Sequence, residues 1–240
     1  MISTVCLGQD TGAPEHPPAT AHDPEAGWSL RLPPRWREVA PEVLERINRL
    51  AESLAPGSSL RYTHAFTTDE AGLLVSPYVL VQVVEAPLRS ATFEDVEFML
   101  RSGVIQTGVD QAISQSEGAG RSASAGGVVL DRQRGVATFD LDVEQATGER
   151  TRARIWMFLA ADRIIQLNGY DHAESFDRSV EDLERLAAAF RFEPGRGFRP
   201  AEAPRAGSGA PWGILSAVGL GVIGALVVVM IRRRTHMPRR

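Results

Sequence analysis

Three carboxylates recur at every second residue in one short stretch of the chain, at Asp140, Asp142 and Glu144. The segment 136–144 reads VATFDLDVE, in which apolar and polar residues alternate, so a strand would place these acids on one polar face. Acids so arranged could ligate Ca²⁺ or form a catalytic carboxylate pair. The alternative is a ladder of ion pairs to arginines on the next strand.

The arginines for such a ladder follow a turn at Thr147-Gly148, in the segment 151–159 (TRARIWMFL). Because carboxylates already neutralised by arginine are poor metal ligands, this spacing favours the ion-pair ladder over a Ca²⁺ site. A hairpin centred on Gly148 predicts three cross-strand pairs: Glu144 with Arg152, Asp142 with Arg154, and Asp140 with Trp156.

Two histidines of the globular segment, His64 and His172, could act as general bases or ligate a metal ion. Cys6 is the single cysteine and no HExxH is present, so no third ligand accompanies them. Since His64 lies between Tyr62 and Phe66, we expect a partly buried, hydrogen-bonded histidine. No serine stands in GxSxG or SxxK, and the Gly-rich stretches lack the Lys of a phosphate loop. The sequence therefore predicts no catalytic residue, metal site or cofactor.

Two functions follow as hypotheses. The first is a non-catalytic binding or assembly module for an unknown protein, lipid or small molecule. The alternative is a hydrolase-type or metal-dependent enzyme whose site assembles from scattered residues such as Asp140, His64 and His172. Convergence of those three side chains in one pocket would distinguish the enzyme. The formal net charge of -4 gives no reason to expect a nucleic-acid partner.

The composition changes several times along the chain, which predicts five segments. Residues 1–27 have no periodicity and indicate a disordered leader or a signal-peptide remnant. Residues 28–193 have globular patterning, and 194–211 form a Pro/Gly-rich stalk. A transmembrane helix over 212–231 and a basic cytoplasmic tail over 232–240 complete the chain.

The predicted membrane helix contains nineteen uncharged residues at 213–231, which as a helix would span roughly 28 Å. That length is close to the ~30 Å thickness of a bilayer core. The lipid bilayer is thus an expected partner. Small residues recur every fourth position at Gly213, Ala217, Gly221 and Ala225, a stripe that can support a homodimer or can simply reflect membrane-helix composition.

Flanking charge predicts the orientation of this helix. The tail RRRTHMPRR has five arginines in nine residues, whereas the stalk has three, so the tail is expected inside and the domain outside. Export needs a signal, and the opening MISTVCLG is too short for one. Either the true start lies upstream, which the charge bias favours, or the protein is tail-anchored with its domain in the cytoplasm.

The globular segment has the predicted order β-α-β-β-α-β-β-β-α with antiparallel neighbours. One helix begins at Pro41, one is capped by Thr92 with Asp95 completing a capping box, and the last is capped by Ser179. The stretch 105–126 is read as a helix end and a long loop. The predicted strands are 28–32, 61–67, 77–84, 136–144, 151–159 and 163–170.

This order, together with two local signatures, resembles the PsbP/DcrB-like (Mog-type) domain family. Gly27-Trp28 and Trp36 match its opening, and Tyr170, Phe176 and Phe190 match its closing strand and helix. The resemblance covers about residues 27–193. It implies an α+β fold in which helices flank both faces of an antiparallel sheet, and a binding or assembly role with no shared catalytic set. The C-terminal anchor is an addition to that family.

Overall fold

The computed structural model of the chain describes residues 19–54, 61–69, 76–86, 88, 91–115, 120–145 and 147–199. The predicted transmembrane helix, its four small residues Gly213, Ala217, Gly221 and Ala225, the basic tail and most of the leader and stalk lie outside these ranges. Within them, no helix is long and apolar enough to cross a bilayer.

The principal sheet has eight strands, and every pairing in it is antiparallel. They are β3 (Arg37–Glu38), β4 (Tyr62–Thr67), β5 (Tyr78–Glu85), β6 (Gly120–Ala125), β7 (Val129–Asp131), β8 (Val136–Gln145), β9 (Arg150–Leu159) and β10 (Arg163–His172). The strand order is β3-β4-β5-β10-β9-β8-β6, and β7 also pairs with β8. A smaller antiparallel sheet contains β1 (Thr20–Asp23), β2 (Trp28–Arg31) and β11 (Phe190–Phe192) in the order β1-β2-β11.

Helices cover both faces of the principal sheet, as the sequence predicts. Their bounds are α1 (Pro41–Leu54), α2 (Phe93–Arg101), α3 (Val104–Gln115) and α4 (Phe176–Ala188). Apolar residues of α1, α2 and α3 join one core cluster, for example Ile47, Val96 and Val109. The opposite cluster contains Leu183 of α4 and Trp28 of the small sheet. The chain is therefore an α+β protein with two cores, one on each side of an antiparallel sheet.

The start of α2 has the predicted capping box. The backbone N–H of Asp95 donates to Oγ1 of Thr92 at 3.1 Å, and the backbone N–H of Thr92 donates to Oδ2 of Asp95 at 2.8 Å. That backbone hydrogen bond, reinforced by one from the Thr92 hydroxyl, lowers the pKa of Asp95. Two otherwise unpaired N–H groups at the helix start are thereby satisfied.

The last helix begins earlier than predicted, because the row of buried residues on its inner face begins at Phe176. Helix α4 starts at Phe176 with Ser175 as its N-cap residue, and Phe176 is fully buried in the core. Ser179, the predicted cap, is instead a buried residue of the first turn whose hydroxyl donates to the carbonyl of Phe176 at 3.1 Å. Packing of Phe176 thus extends the helix N-terminally.

Three segments differ from the prediction for reasons of tertiary pairing. The predicted leader overlaps strand β1, whose residues Thr20–Asp23 pair with β2. The stretch 105–126, read as a helix end and loop, contains all but the first residue of α3 and the whole of strand β6, which pairs with β8. The first residues of the predicted stalk belong to the described fold, since the Phe198 ring lies edge-on to Phe93 at 5.2 Å and the Phe198 N–H donates to the carbonyl of Leu159.

Candidate functional site

The acidic row faces arginines, but two residues out of the predicted register. Glu144 pairs with Arg150, Asp142 with Arg152 and Asp140 with Arg154. The turn explains the difference: Gly148 has φ of 83° and its N–H donates to the carbonyl of Gln145, so it ends a three-residue loop rather than centring it. A shift of two residues keeps the same side chains on the same face.

The ladder neutralises two of the acids. Nε and Nη2 of Arg154 donate to Asp140 at 2.7 and 3.0 Å, and Arg154 also pairs with Glu184 of α4. Arg152 lies 3.6 Å from Asp140 and 4.0 Å from Asp142. Arg154 therefore joins the acidic row of the sheet to α4. Among the described residues, no group of three His, Cys, Asp or Glu side chains is arranged to hold a metal ion.

His64 is a partly buried, hydrogen-bonded residue, as predicted. Its Nδ1 lies 2.6 Å from Oε1 of Glu38, its ring packs edge-on against Trp28 at 4.9 Å, and its side chain is 17% exposed. It lines a cavity of about 490 Å³ between the β1–β2 turn and α1. The ionisable side chains there have partners within the protein: Nε2 of His22 lies 2.9 Å from Oε1 of Glu193, for example.

The three side chains that an enzyme would need do not converge. His64 and Asp140 share one face of the sheet but stand on β4 and β8, four strand spacings or roughly 19 Å apart. His172 is on the opposite face, because it directly follows Asp171 in β10 and pairs with Thr151. It lies beside Glu149, at 3.4 Å, in a separate cavity at the end of the sheet.

A second cavity, of about 400 Å³, lies between the β2–β3 connection and the first half of α4, and we call it the Trp36 pocket. Prolines and the Trp36 indole form its apolar wall. Its polar lining includes Arg35, Asp171, Ser175 and Arg178. Three of these residues occupy positions that ordinary local rules disfavour.

Arg35 is the first of them. The N–H of Trp36 donates to the carbonyl of Pro33 at 3.1 Å, which closes a β-turn with Pro34 and Arg35 at its centre. Arg35 has φ of 75°, the left-handed conformation that the third residue of a type II turn requires and that glycine or asparagine usually supplies. The Pro33-Pro34 pair thus sets a turn that holds a long cationic side chain in a strained backbone position.

Asp171 is the second. Its side chain continues the face of Leu167 and Gly169 in β10, yet Asp171 is only 3% exposed. Its Oδ1 accepts from the backbone N–H of His172 at 2.7 Å. In the described ranges no cation comes within ion-pair distance of it, and its cross-strand neighbour Arg152 is engaged by Asp177, Asp140 and Asp142. Buried carboxylates are ordinarily paired.

Arg178 is the third. It lies in the first turn of α4, where the helix dipole disfavours a cation. Among the residues that the structure describes, Arg178 has no carboxylate partner. By contrast, Arg185, which lies two turns beyond Arg178 in the same helix, is paired with Asp182 at 2.8 Å and with Glu181 at 2.9 Å. The Trp36 pocket therefore contains an unpaired buried anion and two unpaired cations.

Sequence reasoning did not identify this pocket. Asp171 fell just beyond the predicted strand 163–170, although its spacing of two from Gly169 extends the buried face and could have marked it. Arg35 carried a local signal as well, since two prolines followed by a non-glycine residue indicate a strained turn. Arg178 carried no local signal that distinguishes it from an ordinary exposed helix residue.

Solved structures that resemble this chain include two of low sequence identity. The solution structure of cyanobacterial PsbP (CyanoP) from Synechocystis sp. PCC 6803 is 16% identical, with 78% of this chain and 98% of that chain covered and a TM-score of 0.46. The Saccharomyces cerevisiae Ran-binding protein Mog1p is 11% identical, with 73% and 95% covered and a TM-score of 0.38. No family model and no curated protein matches the chain. Neither likeness assigns a residue, ligand or partner here.

Proposed function

We propose that this chain is a membrane-anchored, non-catalytic binding module whose ligand occupies the Trp36 pocket. The observation that carries the proposal is the convergence of Arg35, Asp171 and Arg178, three residues that break local rules, on one cavity. Such violations are expected where function opposes stability. A volume of about 400 Å³ also falls in the usual range for small-ligand sites.

The non-catalytic part of the proposal is supported by the distribution of acid–base groups. General acid–base catalysis needs its proton-transferring groups within hydrogen-bond reach of one reacting centre. His64, His172 and Asp140 lie on different strands and on two faces, and Asp140 is already bound by Arg154. In the Trp36 pocket the polar groups can hold a ligand by charge, but no described nucleophile–base pair accompanies them.

The binding role is tested on the purified full chain by thermal denaturation against a panel of small cations, anions, zwitterions and neutral metabolites. A bound ligand stabilises the native state by mass action, so the melting temperature should rise with its concentration. The matched variant is Asp171→Asn, which should abolish that rise. Stabilisation that persists in Asp171→Asn would place the ligand elsewhere, and turnover of any panel compound would contradict a non-catalytic role.

The anchor is tested separately by extracting membranes that contain the full chain with alkaline carbonate. The apolar run 213–231 supports insertion, so the chain should stay in the pellet. Two charges at its centre, Val222→Arg with Leu226→Arg, should release it, since each costs about 2.5–3.5 kcal/mol there. Arg205→Ala in the stalk is the control. Release of the unaltered chain would disprove the anchor.

Orientation and self-association belong to the same proposal. The arginine-rich tail supports an inside C-terminus with the domain outside the cytoplasm, so externally added protease should digest the domain of intact cells. Digestion only after lysis would instead support the tail-anchored alternative. The small-residue stripe supports a homodimer, and Gly221→Leu should weaken self-association in a membrane reporter assay. Unchanged association would remove the dimer.

A further inference from the structure

The Trp36 pocket separates its charges in a way that specifies the chemistry of a ligand. Asp171 is 97% buried, as its exposure of 3% implies, and lines the pocket without a cationic partner in the described chain. Arg35 and Arg178 are exposed at the same pocket and are likewise unpaired there. Neither arginine lies within ion-pair distance of Asp171, so the opposite charges share a cavity without satisfying one another.

A buried carboxylate that has no cation is costly unless a ligand supplies one. Oδ1 of Asp171 is used by the N–H of His172, and its side chain can still accept a further hydrogen bond. An ammonium group fits this requirement, because it offers several N–H donors and a positive charge. The adjacent Trp36 indole can add a favourable contact between its ring face and a cation.

Arg35 and Arg178 require an anionic group on the same ligand. Two guanidinium groups at the pocket mouth can bind a carboxylate or phosphate, the anions whose geometry arginine matches. The Ser175 hydroxyl donates to the carbonyl of His172 at 3.3 Å rather than capping α4, and the positive end of the α4 dipole lies at the same pocket. A single cation would leave the arginines unsatisfied, and a single anion would be repelled by Asp171.

We therefore propose that the Trp36 pocket binds a compact zwitterion, with its ammonium group on Asp171 and its carboxylate or phosphate on Arg35 and Arg178. This inference rests on the proposed binding function and names the ligand class. Free amino acids, phosphoethanolamine and the headgroup of phosphatidylethanolamine share this chemistry. A domain tethered to a bilayer could meet either the soluble or the lipid source.

The strain at Arg35 agrees with this assignment. Glycine would adopt φ of 75° without strain, whereas arginine there stores strain in the empty protein. The buried Asp171 has the same character, since a carboxylate that has no cation beside it is costly to bury. Both residues thus destabilise the empty pocket and can contribute to binding, so each predicts a variant that folds better and binds worse.

The test is calorimetric titration of the full chain, purified in maltoside micelles, with phosphoethanolamine and with glycine. Ethanolamine and inorganic phosphate are the single-charge controls, and each should bind at least about tenfold more weakly than phosphoethanolamine. Vesicles that contain phosphatidylethanolamine or phosphatidylglycerol distinguish the lipid source. Binding of ethanolamine or phosphate as tight as that of the zwitterion would overturn the inference.

Three variants make the outcome specific. Asp171→Asn retains the oxygen that accepts from the N–H of His172 but removes the negative charge. It should therefore bind phosphoethanolamine at least about tenfold more weakly. The same variant should raise the melting temperature of the empty protein by about 2–4 °C. Arg35→Gly should also weaken binding and raise the melting temperature, whereas Arg46→Ala, on the exposed side of α1, should change neither.

The outcomes separate the inference from the function on which it rests. A ligand of another class that binds in an Asp171-dependent manner would overturn the zwitterion and leave the binding module intact. A lower melting temperature for empty Asp171→Asn would show that Asp171 is a structural group that stabilises the end of β10, which overturns both the zwitterion and the binding function. Tight zwitterion binding that Asp171→Asn and Arg35→Gly both reduce, with Arg46→Ala unchanged, is the result expected.

Discussion

Arg154 binds Asp140 through two hydrogen bonds, from Nε at 2.7 Å and from Nη2 at 3.0 Å. These bonds cross from β9 to β8, and the same guanidinium pairs with Glu184 of α4. The hydrogen bonds to Asp140 raise the pKa of Arg154. The pair therefore links two central strands to the helix that covers them, and this is the structural use of the acidic row.

Replacing Arg154 by alanine should lower the free energy of unfolding by about 1–2 kcal/mol, because the partly buried Asp140 loses both guanidinium hydrogen bonds and keeps only the longer contact with Arg152. Both side chains are 24% exposed, so the loss is smaller than for a fully buried pair. Urea denaturation of the full chain, followed by near-UV circular dichroism, measures it. Arg49→Ala is the control, because the Arg49 side chain is 68% exposed and lies 3.9 Å from Glu45. Equal losses in the two variants would refute the structural role.

The alternation in VATFDLDVE was sufficient to predict strand β8, its polar face and the arginine partners, because a half-buried strand imposes a period of two. The alternation was insufficient to predict the register of β8 against β9. A loop centred on Gly148 and a loop that ends at Gly148 give cross-strand pairs that differ by two residues. Strand β6 was missed for a related reason: Gly120–Ala125 has little strand propensity and is held by pairing with β8. Distant pairing of this kind leaves little local trace.

The Trp36 pocket was out of reach of local patterns because it combines three distant segments. Arg35 belongs to a turn, Asp171 to the end of a central strand and Arg178 to a helix. The local signals of Arg35 and Asp171 do not place either residue beside Arg178. Only the fold shows that no described partner neutralises them. Conversely, the histidines that looked chemical are explained by their neighbours, as His64 is by Glu38.

Gly169 lies where Leu183 of α4 packs on the sheet, and it gives a second prediction. A Cβ at this position would lie 3.0 Å from both Leu183 and Trp156. Gly169→Ala should therefore lower the free energy of unfolding by about 1–3 kcal/mol through overpacking. Gly127→Ala is the matched control, because nothing lies within 4 Å of its Cβ position and no positive φ is required. If both variants unfold at the same urea concentration, α4 does not pack on β10 as described.

Two buried tyrosines give a prediction about alkaline pH. Burial raises the pKa values of Tyr62 and Tyr170, and the hydroxyl of Tyr62 has no hydrogen-bond partner among the described residues. Because the folded chain holds these protons more tightly than the unfolded chain, the stabilisation that the two tyrosines contribute should be constant below about pH 10 and fall as pH rises further. In folded protein the tyrosinate absorbance should therefore appear together with unfolding, whereas in urea it should appear near pH 10.

A tyrosine variant separates this linkage from general alkaline damage. Tyr62→Phe removes a buried hydroxyl that forms no hydrogen bond, so stability at neutral pH should be retained or increased. The loss of stability above pH 10 should become shallower, because one fewer proton is released on unfolding. Urea midpoints measured at several pH values between 8 and 11 provide both quantities. An identical pH dependence in Tyr62→Phe and the unaltered chain would mean that Tyr62 titrates freely in the folded protein, which its burial against β5 and α1 forbids.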